Sequence, residues 1–416
     1  MWSGLLANNA ATVTLLVGSF SSRPYTGPNP PIVRVLNPRE LVIVMESQLS
    51  SATETPATTA TEQAPYDSIL IVSFGGPEHP DHVIPFLENV LRGKPVPRER
   101  LLEVAEHYYH FGGISPINQH CRELIAAVQP LLTSSGCTLP VYWGNRNWDP
   151  LLTDTVRAMR AAGHRRAATF VTSAFSCYSG CRQYRENCYA ACDAAGPDSP
   201  KIEKIRVFFN HPLFIEANTD RVREALAKLP EEQRAAAHIA FTAHSIPMSM
   251  ARTSRYVEQL EESCRLVAEA VGVPAAQYKL VYQSRSGRPE DPWLEPDISD
   301  HLRSLHAQGV RATVIAPIGF LSDHMEIMYD LDEVAAEDCK NLGMSMARAG
   351  TVGLHPAFVR MVADLIVERV TSAPVKPAIG RFPANHDVCP VDCCPAPVRP
   401  QRPAGPPGAA AGGRPA

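Results

Sequence analysis

At 416 residues, 45% hydrophobic and 20% charged, with a net charge of −4, the chain has the composition of a soluble globular protein of one large or two medium domains. The mildly acidic balance argues against nonspecific nucleic-acid binding, which needs a basic field. No stretch reaches the roughly 18 consecutive apolar residues of a membrane span.

Residues 1–65 read as a disordered N-terminal extension. Their second part, ESQLSSATETPATTATEQAP, is rich in Ser, Thr and Ala and has no apolar periodicity. The earlier TVTLLVGSF is apolar, but it has no preceding basic residue and no small-residue cleavage pattern, which speaks against a secretory signal. The stretch NPRELVIVMES points to Met45 as the natural start.

From Tyr66 to Val370, short apolar runs alternate with helix-like stretches. The runs are SILIVSF, LPVYW, RAATFVTS, IRVFF, HIAFTA, KLVYQS and ATVIAPI. Between them lie segments such as DTVRAMRAAG, TDRVREALAKL and SRYVEQLEESCRLVAEAVG, the last ending on a helix-stopping Gly. Strands without polar alternation, separated by helices, imply parallel sheets covered on both faces. These units are too many for one compact sheet. The expected fold is therefore α/β, two Rossmann-like doubly wound domains with a cleft between them. The boundaries read as 66–172 and 173–354. A final helix at 355–371, PAFVRMVADLIVERV, packs back on both domains, and 372–416 is a disordered Pro/Gly-rich tail carrying cysteines.

In open α/β sheets, ligands sit beyond the carboxyl ends of the strands. There the sequence places FGGPE, SAFSCYSGCRQY, AHSIP, QSRSG and IGFLSDHME. The glycines of FGGPE and FGGISP match neither the dinucleotide nor the P-loop fingerprint, and Ser245 lacks the G-x-S-x-G elbow of a serine nucleophile. His244, at a strand end, is either a structural histidine bonded to a carbonyl or a functional one. In SDHMEIMYDLDE, taken as a helix capped by Ser322, Asp323, Glu326, Asp330 and Glu333 fall within an arc of roughly 80°. Such a face is either solvated, with acids favoured near a helix N-terminus, or a cation site whose hard oxygens suit ferrous iron, magnesium or manganese. The eleven cysteines cluster in CYSGCRQYRENCYAAC (Cys177, Cys181, Cys188, Cys192) and VCPVDCC (Cys389, Cys393, Cys394). That clustering suggests a metal or redox site in a reducing compartment rather than a disulfide scaffold.

Together, FGGISPIN, SAFSCYSGCRQY, FTAHSIP, YQSRSGRPEDPWLEPD and PIGFLSDHMEIMYDLD resemble the ferrochelatases over Tyr66 to Val370. SGCRQYRE and the cysteine-bearing tail make the chain most similar to the actinobacterial coproporphyrin III ferrochelatases. The resemblance implies an enzyme of heme biosynthesis that inserts ferrous iron into a porphyrin, coproporphyrin III or protoporphyrin IX, held between the two domains. It implies that His244 and Glu326 face the porphyrin centre and bind iron or relay protons, that Asp323 and Asp330 extend this acidic relay outward, and that Ser115 and Tyr184 contact the porphyrin. It also implies a [2Fe–2S] cluster on Cys181, Cys389, Cys393 and Cys394, the four thiolates such a cluster requires. Two positions depart from bacterial relatives: Phe74 replaces a Tyr able to ligate product iron, and His107 replaces an Arg. The other readings are a cobalt or other divalent-metal chelatase of a cobalamin precursor, and a non-catalytic tetrapyrrole carrier. A cytoplasmic enzyme that touches membranes at most transiently and has no nucleic-acid partner is expected.

Overall fold

Eight short strands form two separate four-stranded parallel sheets in the computed structural model, which describes residues 65–397 except 95, 288 and 289. The first sheet has the order β2-β1-β3-β4, with β1 Ser68–Ser73, β2 Val141–Asn145, β3 Arg166–Val171 and β4 Lys201–Lys204. The second repeats this order as β6-β5-β7-β8, with β5 His238–His244, β6 Tyr278–Gln283, β7 Ala312–Ala316 and β8 Ser345–Arg348. In each half the chain leaves the central strand to one side, then returns to the other, which opens a crevice at the carboxyl ends of β1 and β5. The central strands β1 and β7 are buried throughout, as their unbroken apolar runs require.

Two strands differ from the sequence reading. IRVFF, expected as a strand, is a buried irregular segment, and the strand precedes it as KIEK. SMAR forms β8, which no apolar run announced. Because β4 pairs in parallel with β3, the first half extends to residue 204 and does not end at 172. The helix Gln183–Ala195 is the crossover that brings the chain back for this last strand.

The last helix, Pro356–Val370, starts with Pro at its first turn and is capped by His355, whose Nδ1 accepts from the Ala357 amide at 3.2 Å. It lies against helix Ile117–Ser134 of the first half and helix Pro212–Lys228, which leads into the second. One apolar core therefore runs from Ile69 and Phe170 through Phe358 and Ile366 to Phe241 and Val314. Each fully buried side chain of this size contributes about 1.5–3 kcal/mol. Arg206 and Glu368, both buried, close the joint with two hydrogen bonds of 2.7 and 2.9 Å.

Composition suggested disorder beyond residue 371, yet 372–397 are laid along the body. Asn210 Nδ2 donates to the carbonyls of Ile379 (3.3 Å) and Phe382 (2.7 Å). Arg381 reaches the buried Glu262 through its amide (2.6 Å) and its guanidinium (2.8 Å). These anchors belong to the body, so the tail's own composition does not reveal them. The readings made for residues 1–64, including Met45, and for the end of the tail from 398 lie outside the described residues. Among the described residues, no helix is long and apolar enough to cross a membrane.

Candidate active site

His244 ends β5, where the buried strand HIAFTAH gives way to the loop leading to Pro247. Its Nδ1 faces the Ser245 carbonyl at 2.5 Å, and Tyr256 donates its hydroxyl to the His244 carbonyl at 3.0 Å. A carbonyl only accepts, so Nδ1 carries hydrogen and Nε2 is left to point outward. Nε2 lies 3.6 Å from Glu326 Oε1. The two side chains retain 33% and 47% exposure, so the pair opens onto solvent although protein surrounds its base.

Glu326 comes from the loop after β7. Gly319 lets that loop press against the end of β5: a Cβ there would stand 2.7 Å from Ala243 Cα. His324 caps the following turn, Met325–Ile327, its Nδ1 accepting from the Glu326 amide at 3.3 Å while its ring packs on Phe320. Gln283, at the end of β6, donates to the Glu326 carbonyl at 3.3 Å. Glu326 is thus fixed from three sides. Burial opposes its charge, but His244 and its hydrogen bond prevail and hold the carboxyl down at about 2. Burial likewise opposes protonation of His244, and the Glu326 carboxylate outweighs it, so the imidazole is raised above its ordinary value. The two shifts together favour the imidazolium–carboxylate form of the pair.

The other three acids do not share one face. The chain is α-helical only over Met325–Ile327, and Met328–Ala335 is wound as a π-helix. The 100° step that aligned the four acids fails there, and Asp323 precedes the helix altogether. Asp330 accepts from the Ser284 hydroxyl, on the loop after β6. Burial pushes its carboxyl up to about 6, and the nearby Glu326 charge adds to the rise. Asp323 turns to Arg348 at the end of β8 (3.2 and 3.3 Å), which also holds Asp332 at 2.5 Å. Asp323, expected in the relay, is thus engaged by Arg348. Glu333 meets His110 Nε2 at 2.5 Å, and one turn earlier His107 stacks on Tyr329 with ring centroids 3.9 Å apart and planes 14° apart. Both histidines belong to helix Arg98–His110, so these contacts join the two halves across the cleft.

In the first half, Ser115 is buried where the FGGISP loop meets the FGGPE loop, and its amide donates to the Pro77 carbonyl at 2.8 Å. Phe74 packs edge-on against Phe86 and lies under the Arg146 guanidinium. Tyr184 is a correction. It is 5% exposed, packed with Leu70 and Val72 in the core beneath the first sheet, and its ring is covered by Arg146 at 4.5 Å. The structure does not bring it to the cleft.

The Ferrochelatase family model matches residues 66–370. The chain belongs to the ferrochelatase family. Among curated relatives, the ferrochelatase of Rhodopirellula baltica is 56% identical over 335 residues, 80% of this chain and 95% of that one. Coproporphyrin III ferrochelatases of Streptomyces griseus (50%; 80% of this chain, 95% of that one) and Streptomyces coelicolor (51%; 82% and 96%) match comparably. This ferrochelatase is thus an enzyme of porphyrin metallation, with ferrous iron and a porphyrin as its substrates. The readings as a cobalamin-precursor chelatase or a carrier give way to it.

The ferrochelatase has a second constellation, at its thiols. Cys181 lies in the π-helical turn Tyr178–Arg182, which Cys177 caps by accepting from the Gly180 amide at 3.2 Å. The tail returns to this turn: Arg182 donates to the Val391 carbonyl at 2.7 Å and Arg185 to the Cys389 carbonyl at 3.3 Å. Cys393 and Cys394 place their sulfurs 3.7 Å apart. The thiols of Cys389 and Cys394 donate to Cys181, with Lys204 alongside, so Cys181 ionises well below an ordinary thiol and its two partners well above. Cys181 thus lies by Cys389 and Cys394, although no three of the four cysteines singled out from sequence have sulfurs all within 4.8 Å of one another. His386, which the sequence reading passed over, joins them: its ring nitrogen and the sulfurs of Cys389 and Cys393 lie within 4.8 Å of one another. Its signal was the spacing H-x2-C in HDVC.

Proposed function

We propose that this ferrochelatase metallates coproporphyrin III in the cytoplasm, using His244 as base and Glu326 as the group that receives ferrous iron. The observation that carries the reading is the His244–Glu326 pair, 3.6 Å apart at the end of β5, with Asp330 near it on the π-helix. The names of the two Streptomyces relatives favour coproporphyrin III.

Metallation expels two pyrrole protons for each ferrous ion, so a base must stand at the ring centre. The Glu326 charge favours the His244 imidazolium, which cannot serve as that base. When ferrous iron approaches the Glu326 carboxylate, its double charge cancels the attraction that held the imidazolium proton. His244 sheds that proton, and its Nε2 becomes free to accept one from the porphyrin. Asp330, titrating at about 6, picks up such protons and exchanges them with water beside Ser284. Glu326 replaces water on the incoming iron, which eases its dehydration. Ser115 shapes the porphyrin seat through the glycine loop it supports. Phe74 offers no ligand atom, so product iron has no axial tie to that loop.

Cys181, Cys389, Cys393 and Cys394 hold a [2Fe–2S] cluster in this reading. The fit rests on convergence: adjacent sulfurs at 3.7 Å, a tail held to the Cys181 turn by Arg182 and Arg185, and a lysine to balance charge. Bound there, the cluster supplies a one-electron centre and a covalent tie between helix and tail. The described cysteines are all free thiols, which suits a reducing compartment.

The test is anaerobic turnover with ferrous iron and either coproporphyrin III or protoporphyrin IX, followed by loss of porphyrin fluorescence. Coproporphyrin III is expected to react faster, His244→Ala to abolish turnover and Asp330→Ala to slow it. Equal, mild effects of the two substitutions would refute the assigned roles. Purified protein without visible absorbance or acid-labile sulfide would remove the cluster.

A further inference from the structure

A cavity of ≈ 350 Å³ opens beside the thiols, on the far side of the first sheet's edge strand. Its walls carry the cations Arg185, Lys201, Lys204 and Arg369 against the carboxylates Glu203 and Asp387. Glu203 pairs with Lys201 at 2.6 Å, Arg166 at 2.7 Å and Arg369 at 3.5 Å, and Asp387 with Lys376 and with Arg369 at 3.6 Å. Cations still outnumber these two carboxylates, so the rim keeps a basic excess on a chain whose net charge is −4. Around it stand exposed apolar side chains: Tyr189 at 54%, Val388 at 73% and Val391 at 89%. The two valines flank Cys389 in a segment held by Arg182 and Arg185, so their exposure belongs to a fixed surface. Apolar tips inside a basic ring are the make-up of a docking face for an acidic protein. The chain's own end is a poor occupant by charge, since residues 398–416 contain Arg399, Arg402 and Arg414 and no acidic side chain.

We propose that this face docks a small acidic iron–sulfur protein that hands a preformed [2Fe–2S] cluster to Cys181, Cys389, Cys393 and Cys394. The proposal rests on the cluster reading above. Transfer is a ligand exchange without redox change. Cys181 forms the first new iron–sulfur bond as one bond to a donor thiolate breaks, its proton passing to the thiolate released. Cys389, Cys393 and Cys394 then follow, each proton they shed passing to a donor thiolate that has been released. The irons and sulfides keep their oxidation states throughout.

The experiment uses the full chain in its cluster-free form. A [2Fe–2S]-loaded glutaredoxin of acidic surface is the donor, and transfer is followed anaerobically by visible circular dichroism. Lys201→Glu and, separately, Val391→Asp are compared with the parent. Each is expected to slow transfer about tenfold, and rising salt is expected to slow the parent's transfer steeply. Cluster content after reconstitution from free ferrous iron and sulfide is expected to be equal in all three. Transfer at the parental rate in both variants, or a parental rate indifferent to salt, overturns the docking face while leaving the cluster intact. A parent that gains no cluster by either route overturns the cluster reading, and this inference with it.

Discussion

Replacing Glu326 by Gln should lower the pKa of His244. The replacement keeps the shape of the side chain and removes the charge 3.6 Å from Nε2. Coulomb's law gives about 1 kcal/mol for unit charges at that separation in bulk water, and about 5 at an effective dielectric of 20. With 33% of His244 and 47% of Glu326 exposed, solvent screens the pair. A loss of about 1.5–3 kcal/mol of imidazolium stabilisation follows. The assay is an NMR titration of protein carrying isotope-labelled histidine, with His244→Ala used to assign the signal. The imidazole of the variant should titrate lower than in the parent, because burial is then opposed only by the Ser245 carbonyl and Asp330. An unchanged His244 titration would refute the ion pair and the switch from imidazolium to base built on it.

Three further outcomes are expected. Asp330 is protonated below about 6 and charged above it, so kcat should fall as pH drops through that value, and Asp330→Asn should lack this acid limb in a pH–rate profile. Arg206→Met strands the buried Glu368 carboxylate and should cost about 3–5 kcal/mol in urea unfolding, with Arg206→Met/Glu368→Leu recovering most of it. Burial holds His238 and His301, whose Nε2 atoms lie 3.2 Å apart, down at about 4, below the ordinary 6.5. The unfolded chain then binds more protons between these values, so stability should be full above about 6.5 and fall as pH drops towards about 4, less steeply in His301→Asn.

The place of His244 was legible because it closes an unbroken apolar run, whereas Glu326, on a turn well past its run, was singled out by the resemblance. The central strands were legible from such runs. β4 and β8 were not: KIEK and SMAR are short edge strands, and an edge strand is held by one neighbour and needs no apolar run. The acidic row failed because a periodicity argument presumes α-helical winding, while the i→i+5 ladder of Met328–Ala335 depends on tertiary contacts. Asp323 was misread for the same reason, its partner Arg348 being supplied by a strand the sequence concealed. Tyr184 sits in a recognisable motif, but no motif says on which side of a sheet a helix buries its tyrosine. Ser284, His324 and His386 carry polar contacts that depend on loop geometry alone.

The final helix ties the fold to the order of its synthesis. The face of helix Ile117–Ser134 that it covers emerges from the ribosome long before Pro356 exists. At roughly 5–20 residues per second, the intervening stretch of about 220 residues takes some ~10–45 s to translate. For that interval the side of this helix that meets Pro356–Val370 stands without its cover. Neither half can complete its core until the last turns are made, and a chain that stops short of them leaves the ribosome with that side bare.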